Sequence, residues 1–243
     1  MFKYDDNKEK THIKLVCLGR MHGLWNANHT DIQRPLISSN SNEKDSWSEI
    51  DMAFILADAN EVDTVEKLKI LISLAQSNNV FVIPIVVSDK DIDLKAATIY
   101  INPVNHKNDD EIIRLTAFII KSLKDIVCVT GIVDLDISSI KSIIDNKGKL
   151  FLGCGEGRGD GANIKAAKKS LDHLSSTCNG EQVKGILLNI TGSENLLSMM
   201  DMLEITEIVN DWVINNECTI LWGATIDNDL KDEIRVFIMA QSI

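Results

Sequence analysis

No window of this 243-residue chain reaches the about eighteen apolar residues of a membrane-spanning helix, and its first ten residues hold no apolar signal segment. Cysteine occurs only as Cys17, Cys128, Cys154, Cys178 and Cys218, odd in number and without C-x-x-C. That excludes a disulfide or zinc framework and reads as small buried hydrophobes in a reducing compartment. Basic charge is short as well: Lys and Arg number 25 against 36 Asp and Glu, a net −11, and both halves are acidic. Neither half offers the basic stripe that nucleic acid or an anionic membrane surface requires. Glycine is scarce where a phosphate-wrapping loop would need it, since only Gly19 and Gly23 of the 13 precede Gly131. Proline is limited to Pro35, Pro84 and Pro103, in keeping with continuous regular structure beyond Pro103. The five histidines are dispersed and no serine has a G-x-S-x-G setting, so neither a metal site nor a nucleophile elbow is expected. The chain is expected to be cytoplasmic.

At 44% apolar and 25% charged residues, the chain can build a sizeable core, as one large α/β domain or two of about 120 residues. Short apolar runs alternate with segments of helical period. Ile13 to Leu18, Met52 to Ala57 and Val80 to Val87 read as strands. Between the last two, Val65, Leu68, Leu71, Ile72 and Ala75 recur at helical spacing. Strand, helix, strand predicts parallel pairing through a right-handed crossover. Residues 26–48, with Pro35 and a polar run, are expected as a surface loop. From Asn108, a cap with Glu111 three residues on, the segment to Leu123 is apolar nearly all round, which predicts a helix buried on most sides, a strut between two halves. The second half predicts strands at Leu150 to Cys154, Gly185 to Ile190, Thr219 to Ile226 and Ile234 to Met239, with helices around Ala167 and Leu203. Trp212 and Trp222 fall in periodic segments and read as core.

Three groups of residues invite a chemical reading. Gly157, Gly159 and Ala162 fit G-x-G-x-x-A between a strand and a helix, but the second strand with a terminal acid that a dinucleotide fingerprint wants is missing, so a sharp structural turn is expected. Glu156 and Asp160 could hold a calcium ion or, as the usual alternative, Asp160 could cap the following helix. Asp134 and Asp136 flank one residue after the apolar helix, and either position a water or metal or cap a helix N-terminus.

Several blocks then carry a resemblance. Gly131-Ile-Val-Asp-Leu-Asp-Ile-Ser-Ser-Ile-Lys141, Gly148-Lys-Leu-Phe-Leu-Gly-Cys-Gly-Glu-Gly157 with Ala166-Ala-Lys-Lys169, Gly185-Ile-Leu-Leu-Asn-Ile-Thr-Gly192 and Trp222-Gly-Ala-Thr-Ile-Asp-Asn-Asp-Leu-Lys-Asp-Glu-Ile-Arg-Val236 resemble FtsZ, the bacterial tubulin homologue, in family order and spacing. The resemblance implies a tubulin/FtsZ-like α/β fold. Residues 1–130 would be a Rossmann-like nucleotide-binding-type domain, shortened and ending in the central helix at about 109–127, and residues 131–243 the C-terminal α/β domain.

Departures from the family pattern shape the expected function. The glycine-rich turn after the first strand reads Gly19-Arg-Met-His-Gly23, and the G-G-G-T-G-T-G phosphate loop is replaced by Asp58-Ala-Asn-Glu-Val-Asp-Thr64. Non-glycine residues in left-handed backbone cost about 1 kcal/mol or more each. Asp58, Glu61 and Asp63 would repel a triphosphate and themselves take the anion's place at a helix N-terminus. Gly19, Gly23, Asp58, Asn60 and Thr64 are the nucleotide-binding positions if GTP and Mg²⁺ bind at all. In the catalytic loop the resemblance aligns Asp134 with an expected Asn, Asp136 with the first acid and Ser139 with the second, leaving a vestigial loop. The expectation is a degenerate site with no cofactor, and action by head-to-tail association with itself or an FtsZ-type protein. No nucleic acid or direct membrane contact is expected. The family's C-terminal adaptor-binding peptide is not expected. The alternative is an active GTPase with an atypical, Mg²⁺-bridged phosphate loop.

Overall fold

The computed structural model describes residues 11–28, 36–38, 47–106, 108–128, 131–133, 135–144 and 147–242. The chain divides into two compact units, one formed by Glu9–Lys124 with Asp145–Lys149, the other chiefly by Asp125–Ile144 and Leu150–Ile243.

In the first unit, β1 (Ile13–Cys17), β2 (Leu36–Ser38), β3 (Met52–Asp58), β4 (Phe81–Val87) and β5 (Thr98–Ile101) form a parallel sheet in the order β2-β1-β3-β4-β5. Every residue of β3 and β4 is buried, as expected of parallel strands whose sequences, MAFILAD and FVIPIVV, are nearly continuous apolar runs. Pro84 is tolerated inside β4 because β5 pairs only from Ile85 onward, so on that side Pro84 lies at an edge. Helix α2 (Thr64–Ser77) joins β3 to β4 and lays Leu68, Leu71, Ile72 and Ala75 on the sheet beside Ala53, Ile55 and Val82. Helix α1 (Arg20–Asn28) and β2 fall inside or beside the stretch expected as loop, and β2 adds to the sheet edge by parallel pairing with Lys14 to Val16. Helix α3 (Asp109–Cys128, its residues from Asp125 on belonging to the second unit) begins under the predicted cap, with the Glu111 N–H donating to Asn108 Oδ1 at 3.0 Å. Ile112, Ile113, Ile119, Ile120 and Leu123 are all buried along it.

The second unit holds α4 (Ile137–Ile143), β6 (Lys149–Arg158, its first residue belonging to the first unit), α5 (Ala162–Ser175), β7 (Val183–Gly192), α6 (Met199–Trp212), β8 (Thr219–Ile226) and β9 (Glu233–Ser242). Its sheet order is β6-β9-β7-β8; β9 is antiparallel to both neighbours and β7 is parallel to β8.

The glycine run makes the sharp turn expected of it only at its end. Gly153, Gly155 and Gly157 are alternate residues inside β6, which continues to Arg158, and only Gly159 and Gly161 make the turn, with φ of 64° and 68°. A Cβ on the three strand glycines would strike the carbonyl oxygens of Ser170, Ala166 and Ala162 on α5. Alternate strand positions face one side, so the glycines form a groove into which the α5 backbone settles at i, i+4 spacing. That accounts for the G-x-G pattern by helix-on-sheet packing, with no ligand. Asp160 does not cap α5, whose N-cap is Gly161 with no side-chain bond. Trp212 and Trp222 are only partly buried against the core, and the Trp212 indole N–H donates to Ser175 Oγ at 2.9 Å. The fully buried tryptophans are Trp25 and Trp47.

Candidate functional site

The carboxyl ends of parallel strands are where open α/β sheets bind ligands. In the first unit that end is built from the β1–α1 turn, the β3–α2 turn and the start of α3. Gly19 takes φ 56° between Cys17 and α1, a conformation that suits glycine. The chain then enters the helix at once, so Gly23 lies inside α1, exposed, with nothing within 4 Å of where its Cβ would be. The expected glycine-rich turn is thus a turn at Gly19 alone.

The two free backbone faces at this corner are taken by carboxylates. Both oxygens of Glu61 accept from the Arg20 N–H, each at 3.1 Å, and the Glu61 carboxylate lies where a Cβ on Gly19 would stand. A carboxylate at the first turn of α1 is favourably placed against the positive end of the helix. Asp58, the last residue of β3, is 3% exposed. Its carboxylate accepts from Arg20 Nε at 2.5 Å, from the Asn60 N–H at 2.9 Å and from Asn60 Nδ2 at 3.1 Å. Arg20 Nη1 reaches on to Asp109 Oδ2 at 2.7 Å, at the start of α3. One guanidinium therefore ties three elements together. Burial opposes its charge, but Asp58 and Asp109 outweigh that and raise its pKa.

Asp63 differs from its two acidic neighbours. It is the N-cap residue of α2, at φ 62°, and makes no side-chain cap bond. Thr64 is buried as the first residue of α2. The structure thus brings Gly19, Asp58 and Asn60 to one corner with Arg20 and Glu61, leaves Gly23 within a helix, and uses Thr64 to start α2. Arg20 and Asp109 were missed as site residues in the sequence. Arg20 stood there only as a member of the Gly19–Gly23 turn; its signal was an arginine directly after a lone glycine, with an acidic turn to answer it.

Asp134 lies outside the described residues. Asp136 is the N-cap of α4 and accepts from the Ser139 N–H at 2.6 Å. The bonds from Ser139 hold its carboxyl below the usual carboxylate range. Of the two readings for this residue, the geometry displays the cap. Among the described residues, no group of three or more His, Cys, Asp or Glu is disposed to hold a metal ion. None of their helices is long and apolar enough to cross a membrane.

A parallel-sheet unit with its site at the strand ends, a long buried helix, and a mixed-sheet unit define the tubulin/FtsZ class of α/β proteins. The model of the FtsZ family, C-terminal domain, matches residues 148–243. An FtsZ mutant from M. jannaschii has the same fold with TM-score 0.77 at 16% identity, over 96% of this chain and 92% of that one. A structure described as an empty FtsZ dimer from M. jannaschii gives 0.75 at 14% identity, over 97% and 89%. CetZ from Methanosaeta thermophila gives 0.64 at 13%, over 94% and 86%. Residues 148–243 thus carry the FtsZ family's C-terminal domain, and the chain as a whole has the FtsZ fold.

Proposed function

We propose that this FtsZ/tubulin-like cytoskeletal protein has replaced its nucleotide site with internal carboxylates and works in the cytoplasm by association, with itself or with an intact FtsZ-type protein, rather than by GTP hydrolysis. The observation that carries this reading is Glu61: its carboxylate fills the space over Gly19 and takes the Arg20 N–H at the start of α1. A phosphate would have to displace that carboxylate and would then face the buried Asp58, whose charge is already matched to Arg20. GTP and Mg²⁺ do not fit the corner as it stands. In the vestigial catalytic loop, Asp136 is engaged as a helix cap, and Ser139, which supplies the cap's partner N–H, brings no second carboxylate.

Association is the function left to a scaffold of this class, and the likeness to an FtsZ dimer supports self-association. Head-to-tail stacking, a role in cell division and the choice of partner are part of the proposal. Sedimentation of the purified protein, alone and mixed with a conventional FtsZ and GTP, tests it. The protein is expected to pellet with the filaments or to alter their yield; a monomer that neither enters nor perturbs them would sink the reading. The GTPase alternative has one observation in its favour, the retained left-handed Gly19 at a helix N-terminus. It requires Glu61 to swing away and a cation to offset Asp58.

A further inference from the structure

Of the nine large apolar side chains exposed among the described residues, Ile164, Met199, Met200 and Leu203 share the N-terminal ends of α5 and α6. The two helices run side by side in the same direction. Asn163 Nδ2 donates to Glu204 Oε2 at 2.6 Å near their starts, and Trp212 Nε1 donates to Ser175 Oγ at their ends. Residues 162, 166 and 170 of α5 and residues 202, 205 and 209 of α6 turn into the core. Ile164 and Lys168, one turn apart, therefore look outward from α5. Met200, Leu203 and Glu207 look outward from α6. Ile164, Met200 and Leu203 are 38%, 65% and 48% exposed. A capping box at Ser198 and Asp201 fixes the start of α6, so the methionines are held on a rigid turn.

The charges beside these apolar groups are opposite on the two helices. Helix α5 carries Lys165, Lys168 and Lys169 against Asp172. Helix α6 carries Asp201, Glu204, Glu207 and Asp211 and no basic residue. In a chain of net charge −11, a second copy is repelled from most faces and drawn to one that holds both signs. We propose that the outer face of α5 and α6 is a homotypic docking surface whose occupant is the same face of a second copy, related by a two-fold axis running along the helix pair. Such an axis sets α5 of one copy over α6 of the other at matched height, as an isologous contact requires. Ile164 then meets Met200 and Leu203, and one turn on Lys168 meets Glu207. Asp172 and Asp211 come together a turn further, which confines the contact to the N-terminal two turns. This surface is independent of the strand-end corner and of any head-to-tail stacking. An isologous contact stops at two copies, whereas head-to-tail stacking continues.

The test is sedimentation velocity on the full chain without nucleotide, at low salt and over a hundredfold range of concentration. The wild type is expected to show a concentration-dependent dimer that salt weakens. Lys168→Glu and Glu207→Lys are each expected to weaken it at least fivefold, and the two together in one chain to restore it, because each copy then presents the swapped pair to the other. Leu203→Asp is expected to abolish it, with circular dichroism checking that each variant is folded. A wild type that stays monomeric throughout, a dimer indifferent to Lys168→Glu and Glu207→Lys, or a double variant no better than the single ones overturns the proposal.

Discussion

Replacing Asp58 by alanine separates a structural carboxylate from one kept for a bound cation. The side chain is buried and accepts three hydrogen bonds, from Arg20 Nε and from the two nitrogens of Asn60. Hydrogen bonds to a charged group contribute about 1.5–3 kcal/mol each, and breaking a buried ion pair from one side costs about 3–5 kcal/mol. The guanidinium partner is 39% exposed and keeps Asp109, so water and the second carboxylate recover part of that loss. The net destabilisation of Asp58→Ala should therefore be about 2–3 kcal/mol, read as a lower urea midpoint at unchanged slope. Asp58→Asn, which keeps an acceptor for Asn60 but not the charge for Arg20, should lose less. If Asp58 instead awaited a bridging cation, its removal from the empty protein would relieve repulsion and raise the midpoint. A variant equal to or more stable than the wild type refutes the structural reading.

Other positions give further tests. Gly155→Ala drives a Cβ into the backbone of Ala166 and Ser170 on α5 and should cost at least about 1–3 kcal/mol in thermal or chemical unfolding, because neither backbone can yield cheaply. Gly23→Ala has the opposite sign: the residue sits exposed within α1 with open space around it, so the substitution should stabilise by about 0.5–1 kcal/mol, and a loss there would mean the glycine serves something other than the helix. Asp136→Ala should lose about 1 kcal/mol of α4 capping. Because the folded pKa of Asp136 lies below its ordinary 3.8, that contribution is complete above this value and lost as pH falls below it; the wild-type advantage over the variant should shrink in acid titrations of stability, and an advantage unchanged at low pH would contradict the cap.

Much of the architecture was legible because buried parallel strands must be apolar runs: Met52 to Asp58 and Phe81 to Val87 announced themselves. The long α3 was readable from Asn108 and from apolar positions on nearly every face. What escaped was local structure decided by distant partners. Leu36 to Ser38 is too short to carry a period and becomes a strand only because β1 offers an open edge. The glycines of β6 resemble a phosphate loop in one dimension, and only α5 lying across them reveals a packing groove. At the candidate site the acidic turn and the missing glycines were visible. The pairing of Arg20 with Asp58 and of Glu61 with the start of α1 spans 38 and 41 residues, respectively, and no spacing rule reaches that far.

The central claim, that carboxylates close the nucleotide corner, is met most directly by calorimetric titration of GTP with Mg²⁺ into the purified chain. No saturable heat is expected up to about 1 mM nucleotide, a limit equivalent to binding weaker than about 4 kcal/mol. A one-to-one isotherm at micromolar GTP would contradict it.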